Sequence, residues 1–203
     1  MKFTESIFEL LLENKSLPYY QAERRIDIFV NLFLSEILNY SLKKTGIQYV
    51  LPELPLKKEM GHRSTKVDYL CFDSNEKIIY FVELKTDSNS FKGGQLDIYQ
   101  AYKTWEQCQS DIKAITKISK AKPKFEKLNM KLHSLNLLDE SSSSYKIKIV
   151  YIAPESSSTR KKIISKDKLN NVSYIAFSEL SAFNSTLYPA EWQLFYSKFL
   201  VEI

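Results

Sequence analysis

The chain has 203 residues, of which 44% are hydrophobic and 26% are charged, which suffices for one α/β domain with a substantial core. Its net charge of +5 permits a polyanionic partner without requiring one. The two cysteines have no CxxC spacing, which argues against a disulfide framework, and the two histidines are too far apart for a zinc site. There is no apolar run of 18 residues, which argues against a membrane span. We therefore expect a cytoplasmic protein.

Two helices are predicted at the start of the chain. The first covers residues 3–14, and its apolar face is expected to consist of Phe3, Ile7, Leu10 and Leu11. The second covers 21–46 and ends at Lys43, Lys44 and Gly46, residue types that suit a helix C-terminus. Apolar residues surround most of this second helix, so we expect it to be heavily buried.

Three strands are predicted next, at 47–56, 66–72 and 78–85. Pro52 and Pro55 place the first strand near the edge of a sheet. The sequence DSNEK, residues 73–77, predicts a turn between the second and third strands. The third strand begins with a fully apolar run and then contains Glu83 and Lys85.

The rest of the chain is predicted to continue with helices and two more strands. A long helix is expected over 95–118, then a lysine-rich segment over 117–133 that Pro123 interrupts. Strands follow at 146–154 and 172–177, separated by the serine-rich loop 155–162, and a helix at 189–201 closes the chain. The order is α, β, β, β, α, β with additions at both ends, which indicates a mixed α/β fold.

Asp68 in the second strand is predicted to face Glu83 in the third. Residues directly opposite in an antiparallel hairpin share a face. A loop of two residues at 75–76, or of four at 74–77, puts these two opposite each other with Cβ atoms roughly 5 Å apart. Because burying two unpaired carboxylates is costly, the pair suits a divalent cation such as Mg²⁺ or Mn²⁺. Lys85, two residues beyond Glu83, shares its face.

These residues resemble the motif of the PD-(D/E)XK nuclease superfamily, which has the restriction-endonuclease-like fold. The motif consists here of Asp68, fourteen residues, and then Glu83-Leu84-Lys85; Val67 precedes the acid where the family frequently has proline. Gln95 and Tyr99, at i and i+4 early in the next helix, are similar to the QxxxY motif of the RecB-like and lambda-exonuclease-like branch.

The resemblance covers roughly residues 20–153 and implies both a fold and an activity. The implied fold is an αβββαβ core with a central mixed sheet flanked by helices, within one domain over 1–203. The implied activity is Mg²⁺-dependent hydrolysis of phosphodiester bonds in repair, restriction or defence. DNA is the expected substrate, although the residues themselves do not distinguish DNA from RNA. The alternative is a catalytically inactive scaffold of the same fold that binds nucleic acid or protein.

The resemblance also implies a role for each motif residue. Asp68, Glu83 and the backbone carbonyl of Leu84 would hold the cation. Lys85 would orient or activate the attacking water, and we expect it to be exposed, so that its loss would cost little stability. Gln95 would contact the phosphate or the lysine, with Tyr99 supporting it. Without the resemblance, Glu83 and Lys85 would be the solvent-facing half of an edge strand.

Family members often take a further acid from the first core helix. Glu36 is the preferred candidate, since it lies on the apolar stripe of the long helix, and it is expected to point toward Asp68 and Glu83. Glu23, on the other border of that stripe, is the alternative. Glu53 in the first strand is a weaker option.

Basic residues in loops are candidates for contacts with nucleic acid. His62, Arg63 and Lys66 precede the strand that carries Asp68, and Arg160 and Lys161 follow the serine-rich loop. The sequence KAKPKFEK, residues 120–127, is a further basic stretch. No motif indicates sequence recognition. The oligomeric state is left open, a homodimer being one option.

Overall fold

A five-stranded mixed sheet flanked by seven α-helices makes up the part of the chain that the computed structural model describes, residues 3–14, 22–57, 65–87, 91 and 93–202. The helices are α1 Phe3–Asn14, α2 Ala22–Ser41, α3 Gly93–Ala101, α4 Trp105–Ile118, α5 Lys122–Ser134, α6 Ser157–Ser165 and α7 Pro189–Lys198. The strands are β1 Gln48–Leu56, β2 Thr65–Asp73, β3 Ile78–Leu84, β4 Lys146–Ala153 and β5 Val172–Ala176. The predicted α/β class is therefore confirmed. None of the described helices is both long enough and apolar enough to cross a membrane.

The strands lie in the order β1-β2-β3-β4-β5. Strands β1, β2 and β3 are antiparallel, and β4 and β5 run parallel to β3. Parallel neighbours need a crossover connection; α3, α4 and α5 provide it between β3 and β4, and α6 provides it between β4 and β5. Strand β3 is central, and all seven of its residues are buried, which explains its continuous apolar run.

Each face of the sheet carries a hydrophobic core. Helices α1, α2 and α7 cover one face, where Phe33, Trp192 and Phe195 pack together. Helices α3 to α6 cover the other face, which contains Phe81, Tyr99 and Trp105 among its buried residues. Successive side chains of a strand point to opposite faces. Phe81 belongs to the second core, so alternation places Glu83 on the face that α3 covers.

The predicted helix over 95–118 is two helices, and this prediction was wrong in one respect. The break lies between Ala101 and Trp105, where the side chain of Gln107 accepts hydrogen bonds from the backbone of Lys103 at 2.6 Å and of Thr104 at 3.3 Å. A side-chain acceptor three residues into a helix satisfies backbone donors at its start. The chain can therefore begin a new helix in a new direction.

Helices begin at the proline that was expected to interrupt the lysine-rich segment and in the serine-rich segment that was predicted as a loop. Pro123 lies in the first turn of α5, a position where its missing N–H costs nothing. In the serine-rich segment, the Ser156 hydroxyl accepts from the backbone of Thr159 at 3.3 Å and caps α6.

The buried face of α1 also differs from the prediction. Phe8 and Leu11 are its buried residues, whereas Phe3 and Leu10 are exposed. The ring of Phe8 lies 4.9 Å from that of Phe29 in α2. Aromatic packing between the two helices therefore buries the side of α1 that carries Phe8.

Candidate functional site

The β2–β3 hairpin places Asp68 opposite Glu83, as predicted. Asp73 pairs with Ile78 around a four-residue loop, and the register runs to Tyr69 opposite Val82. One further step brings Asp68 opposite Glu83. The Asp68 carboxylate accepts a hydrogen bond from the backbone N–H of Leu84 at 2.9 Å. The two strands are therefore antiparallel neighbours with both acids at the same end.

Glu83 is the centre of a hydrogen-bonded cluster, although only 1% of its surface is exposed. Its Oε1 atom lies 2.5 Å from the Lys85 ammonium and 2.7 Å from the Gln95 side-chain nitrogen. Its Oε2 atom lies 2.7 Å from the Tyr99 hydroxyl. A buried carboxylate is tolerated when such donors surround it. The sequence-predicted residues Glu83, Lys85, Gln95 and Tyr99 thus form one cluster.

The first turns of α3 position Gln95 and Tyr99. Residues at i and i+4 are neighbours on a helix, and the Gln95 amide nitrogen lies 2.7 Å from the Tyr99 oxygen. That oxygen also lies 2.8 Å from the backbone carbonyl of Lys66. Because a hydroxyl has one hydrogen, Tyr99 donates either to Glu83 or to Lys66 at any moment. Gln95 uses both of its amide hydrogens, one for Glu83 and one for Tyr99.

Lys85 is buried, and the expectation that it is exposed was wrong: its exposed fraction is 7%. Its backbone N–H donates to the carbonyl of Ile152 at 2.9 Å, so the strand pairing continues past β3 and keeps Lys85 beside Glu83. Burial would lower the pKa of Lys85, but the charges of Glu83 and Asp68 outweigh it and raise that pKa above its ordinary value. Lys85 therefore remains an ammonium ion at neutral pH.

Asp68 has an altered proton affinity. Burial and then the charge of Glu83 raise the pKa of Asp68 to about 8, while the Lys85 ammonium and the bond from Leu84 oppose the shift. At neutral pH the side chain therefore carries a proton for much of the time. The Lys85 ammonium alone does not supply enough positive charge to keep both carboxylates ionised.

Glu36 does not reach this cluster, so the prediction that it points toward Asp68 and Glu83 was wrong. Its carboxylate accepts from the Ser185 hydroxyl at 2.5 Å and from the Thr186 backbone at 2.8 Å, and it also accepts from the Thr186 hydroxyl. Burial would raise the pKa of Glu36, but these hydrogen bonds lower it. Glu36 is a residue that fixes the segment before α7.

Glu23, the alternative acid, is the one that approaches the cluster. It lies in the first turn of α2, with its carboxylate 4.0 Å from the Lys85 ammonium. Glu36 is thirteen positions further along the chain, which is about 20 Å along a helix at 1.5 Å per residue. The two acids therefore cannot serve the same site.

The remaining acid and basic candidates are committed to other contacts or lie elsewhere. Glu53 forms an ion pair with the Lys66 ammonium. Arg160 forms an ion pair with Glu179 at 2.9 Å and lies 5.5 Å above the ring of Tyr174. Lys161, also predicted to contact nucleic acid, is exposed on α6, and the basic stretch 120–127 is exposed at the start of α5 apart from half-buried Phe125. His62 and Arg63 lie outside the described residues.

Sequence reasoning missed Tyr151, which lies beside the cluster. It is paired with Glu83 across the parallel β3–β4 ladder, and its side chain is buried. Its hydroxyl has no hydrogen-bond partner among the described residues. Burial and then the charges of Glu83 and Asp68 raise the pKa of Tyr151 above its ordinary value. No sequence signal predicts this neighbour, since 67 residues separate it from Glu83 and only the fold sets the register.

The acid pair fits a cation that needs few protein ligands. No group of three His, Cys, Asp or Glu residues able to hold a metal occurs among the described residues. Asp68 and Glu83 nonetheless offer hard oxygen atoms, and Mg²⁺ commonly binds one or two carboxylates and keeps several waters. The raised pKa of Asp68 is the property that a nearby cation would reverse. Such a cation would compete with Lys85 and Gln95 for Oε1 of Glu83.

Comparisons with protein-family models, with curated proteins and with solved structures gave no match. The functional interpretation therefore rests on the residues of the chain itself.

Proposed function

We propose that the protein is a Mg²⁺-dependent nuclease of the PD-(D/E)XK type, which hydrolyses phosphodiester bonds of DNA in repair, restriction or defence. The observation that supports this most is the cluster around Glu83, in which Lys85, Gln95 and Tyr99 all contact one buried carboxylate. The order α2, β1, β2, β3, α3, β4, with β4 parallel to β3, supports the restriction-endonuclease-like αβββαβ core that the motif implies.

Asp68 and Glu83, with the backbone carbonyl of Leu84, would hold Mg²⁺ or Mn²⁺. When bound, the cation would supply charge relief to the phosphate and lower the pKa of a water ligand. Gln95 and Tyr99 hold the Glu83 carboxylate in one orientation through both of its oxygens, which keeps it available as a fixed ligand.

Lys85 supplies a fixed positive charge at this site. Because the neighbouring carboxylates raise its pKa, it stays protonated at neutral pH and serves as a hydrogen-bond donor rather than as a general base. A buried ammonium stabilises the negative charge that develops on a phosphate more strongly than an exposed one, since water screens it less.

A catalytically inactive scaffold of this fold is the second candidate, and one observation favours it. Both oxygens of Glu83 already accept hydrogen bonds from side chains of the chain itself. A cluster that is satisfied internally can stabilise a fold without binding a cation. Such a protein would act as a nucleic-acid-binding or protein-interaction module.

The proposal is tested by incubating the protein with supercoiled plasmid, single-stranded DNA and RNA, in Mg²⁺ or in EDTA. We expect cleavage of DNA that depends on Mg²⁺ and is lost in Asp68→Asn. Lys44→Ala is the matched control, because it breaks an exposed ion pair with Glu76 and should cleave like the wild type. Activity that survives in EDTA or in Asp68→Asn would contradict the mechanism, and no cleavage by wild type would favour the scaffold.

A further inference from the structure

The positive charge of the chain is concentrated in one helical hairpin. Residues 113–131 contain seven lysines and one acid, Glu126, a net charge of +6. The whole chain carries +5, so all the other residues together carry −1. We call the seven side chains the lysine hairpin: Lys113, Lys117, Lys120, Lys122, Lys124, Lys127 and Lys131.

Helical spacing places these lysines on the outer surface of α4 and α5. Lys113 and Lys117 are four residues apart on α4, and Lys124, Lys127 and Lys131 are three and four apart on α5, so each set shares a face. All seven lysines are exposed. Other sides of the two helices carry Ile112 and Leu132, which are buried in the second core.

The lysine hairpin makes no ion pair with the described residues of the chain. None of its ammonium groups lies within 4.0 Å of a carboxylate among residues 3–14, 22–57, 65–87, 91 and 93–202. Lys131 lies 5.8 Å above the ring of Tyr49, a contact that leaves its charge in place. Lys117 and Lys131 lie in the last turns of their helices, where a cation is favourable. Like charges at i, i+3 and i, i+4 cost stability, so the fold does not require seven lysines in this hairpin.

The lysine hairpin lies along β1, on the sheet face that also carries the Glu83 cluster. Ile112 of α4 and Leu132 of α5 are buried in the second core, which places both helices on that face. Asp111 in α4 accepts from the backbone N–H of Lys57, just after β1 ends, at 3.3 Å. Lys131 in α5 reaches past the edge strand to Tyr49, near the start of β1, whose ring packs against the first core. Strand β1 pairs with β2, which carries Asp68, and neighbouring strands are about 5 Å apart. A long polyanion bound to the hairpin would therefore have a short path to the acid pair.

We propose that the lysine hairpin is the docking surface for the phosphate backbone of nucleic acid. The choice of nucleic acid rests on the proposed function and on the position of the hairpin beside β1 and β2. An anionic membrane fits less well, because a helix that binds a membrane needs a broad exposed apolar face. On α5, Leu128 and Leu132 pack against the core. Met130 on α5 and Ile118 at the end of α4 are exposed, but two separate side chains among seven lysines do not form a broad apolar face.

The test compares two triple variants with the same net charge. Lys124→Gln, Lys127→Gln and Lys131→Gln change the hairpin, and Lys103→Gln, Lys168→Gln and Lys198→Gln change exposed lysines elsewhere. Binding of a fluorescent DNA duplex is measured by anisotropy between 50 and 300 mM salt, in EDTA so that no cleavage occurs. Each lost phosphate contact should reduce the slope of log K against log[salt] by about 0.9.

We expect the magnitude of the slope to be smaller by up to about 2.7 in the hairpin variant, and its binding at 0.1 M salt to be up to about 500-fold weaker. The control variant should keep the wild-type slope. Equal losses in both variants would overturn the proposal, as would binding of wild type to phosphatidylserine vesicles but not to DNA. Hairpin-dependent binding by a protein that never cleaves would support the docking surface and reject the nuclease.

Discussion

Replacing Asp68 by asparagine should stabilise the protein at alkaline pH. The pKa of Asp68 is about 8 in the folded protein against an ordinary value of 3.8, so between these values the folded state binds a proton that the unfolded state does not. Unfolding free energy then falls by about 1.4 kcal/mol per pH unit as the pH rises through this window. The full loss approaches roughly 6 kcal/mol, an upper limit because the side chain can relax toward solvent.

The asparagine variant avoids this loss, since its side chain does not ionise. Its amide oxygen can still accept the hydrogen bond that Leu84 donates to Asp68, a bond with a net value of about 1 kcal/mol. The pKa effect is larger than that, so it decides the sign. We expect the two proteins to unfold alike near pH 4, and the variant to be more stable by several kcal/mol at pH 9.

Urea unfolding at pH 4, 6, 8 and 9 in EDTA measures the difference between the two proteins. Asp97→Asn, on the exposed side of α3, is the matched control and should follow the wild type at every pH. If Asp68→Asn is clearly less stable than wild type at pH 9, the ionised Asp68 carboxylate stabilises the fold through an ion pair. That result would contradict the raised pKa of Asp68.

Four further substitutions test other contacts. Lys85→Ala should destabilise the protein by about 3–5 kcal/mol, because it leaves Glu83 buried without its ion partner; an unchanged urea midpoint would contradict the burial of this pair. Glu36→Gln should cost about 0.5–1.5 kcal/mol at neutral pH by weakening the hydrogen bonds that fix the segment before α7, with unchanged cleavage. Because the pKa of Glu36 is lowered, its stabilisation is present above pH 4.5 and should be lost as the pH falls below that value. Tyr151→Phe removes a buried hydroxyl that has no hydrogen-bond partner in the described part of the chain, and should leave the urea midpoint equal or higher. The same holds for Tyr80→Phe on the opposite face of the sheet. A lower midpoint would reveal a bonded hydroxyl.

The sequence predicts local relationships within the site. The turn between β2 and β3 is four residues long, and its parity alone brings Asp68 opposite Glu83. The helical spacing of Gln95 and Tyr99 likewise predicts that they contact each other. These relationships need only the geometry of one hairpin and one helix.

Long-range partners could not be predicted in this way. The sequence favours Glu36 over Glu23 as the further acid of the site, and this choice is wrong. An apolar stripe does not reveal which end of α2 lies over the site. The burial of Lys85 depends on β4, whose Ile152 extends the ladder past the end of β3. By contrast, the spacing of Thr104 and Gln107 resembles a helix-start signal and could have located the break between α3 and α4.

Manganese-soaked crystals would test the central claim most directly, through the anomalous scattering of Mn²⁺. We predict an anomalous peak bonded to carboxylate oxygens of both Asp68 and Glu83, and no peak there in crystals of Asp68→Asn. No peak at millimolar Mn²⁺ in the wild type, with the Lys85 ammonium still in contact with Glu83, would contradict the metal-dependent nuclease and leave the inactive scaffold as the better account.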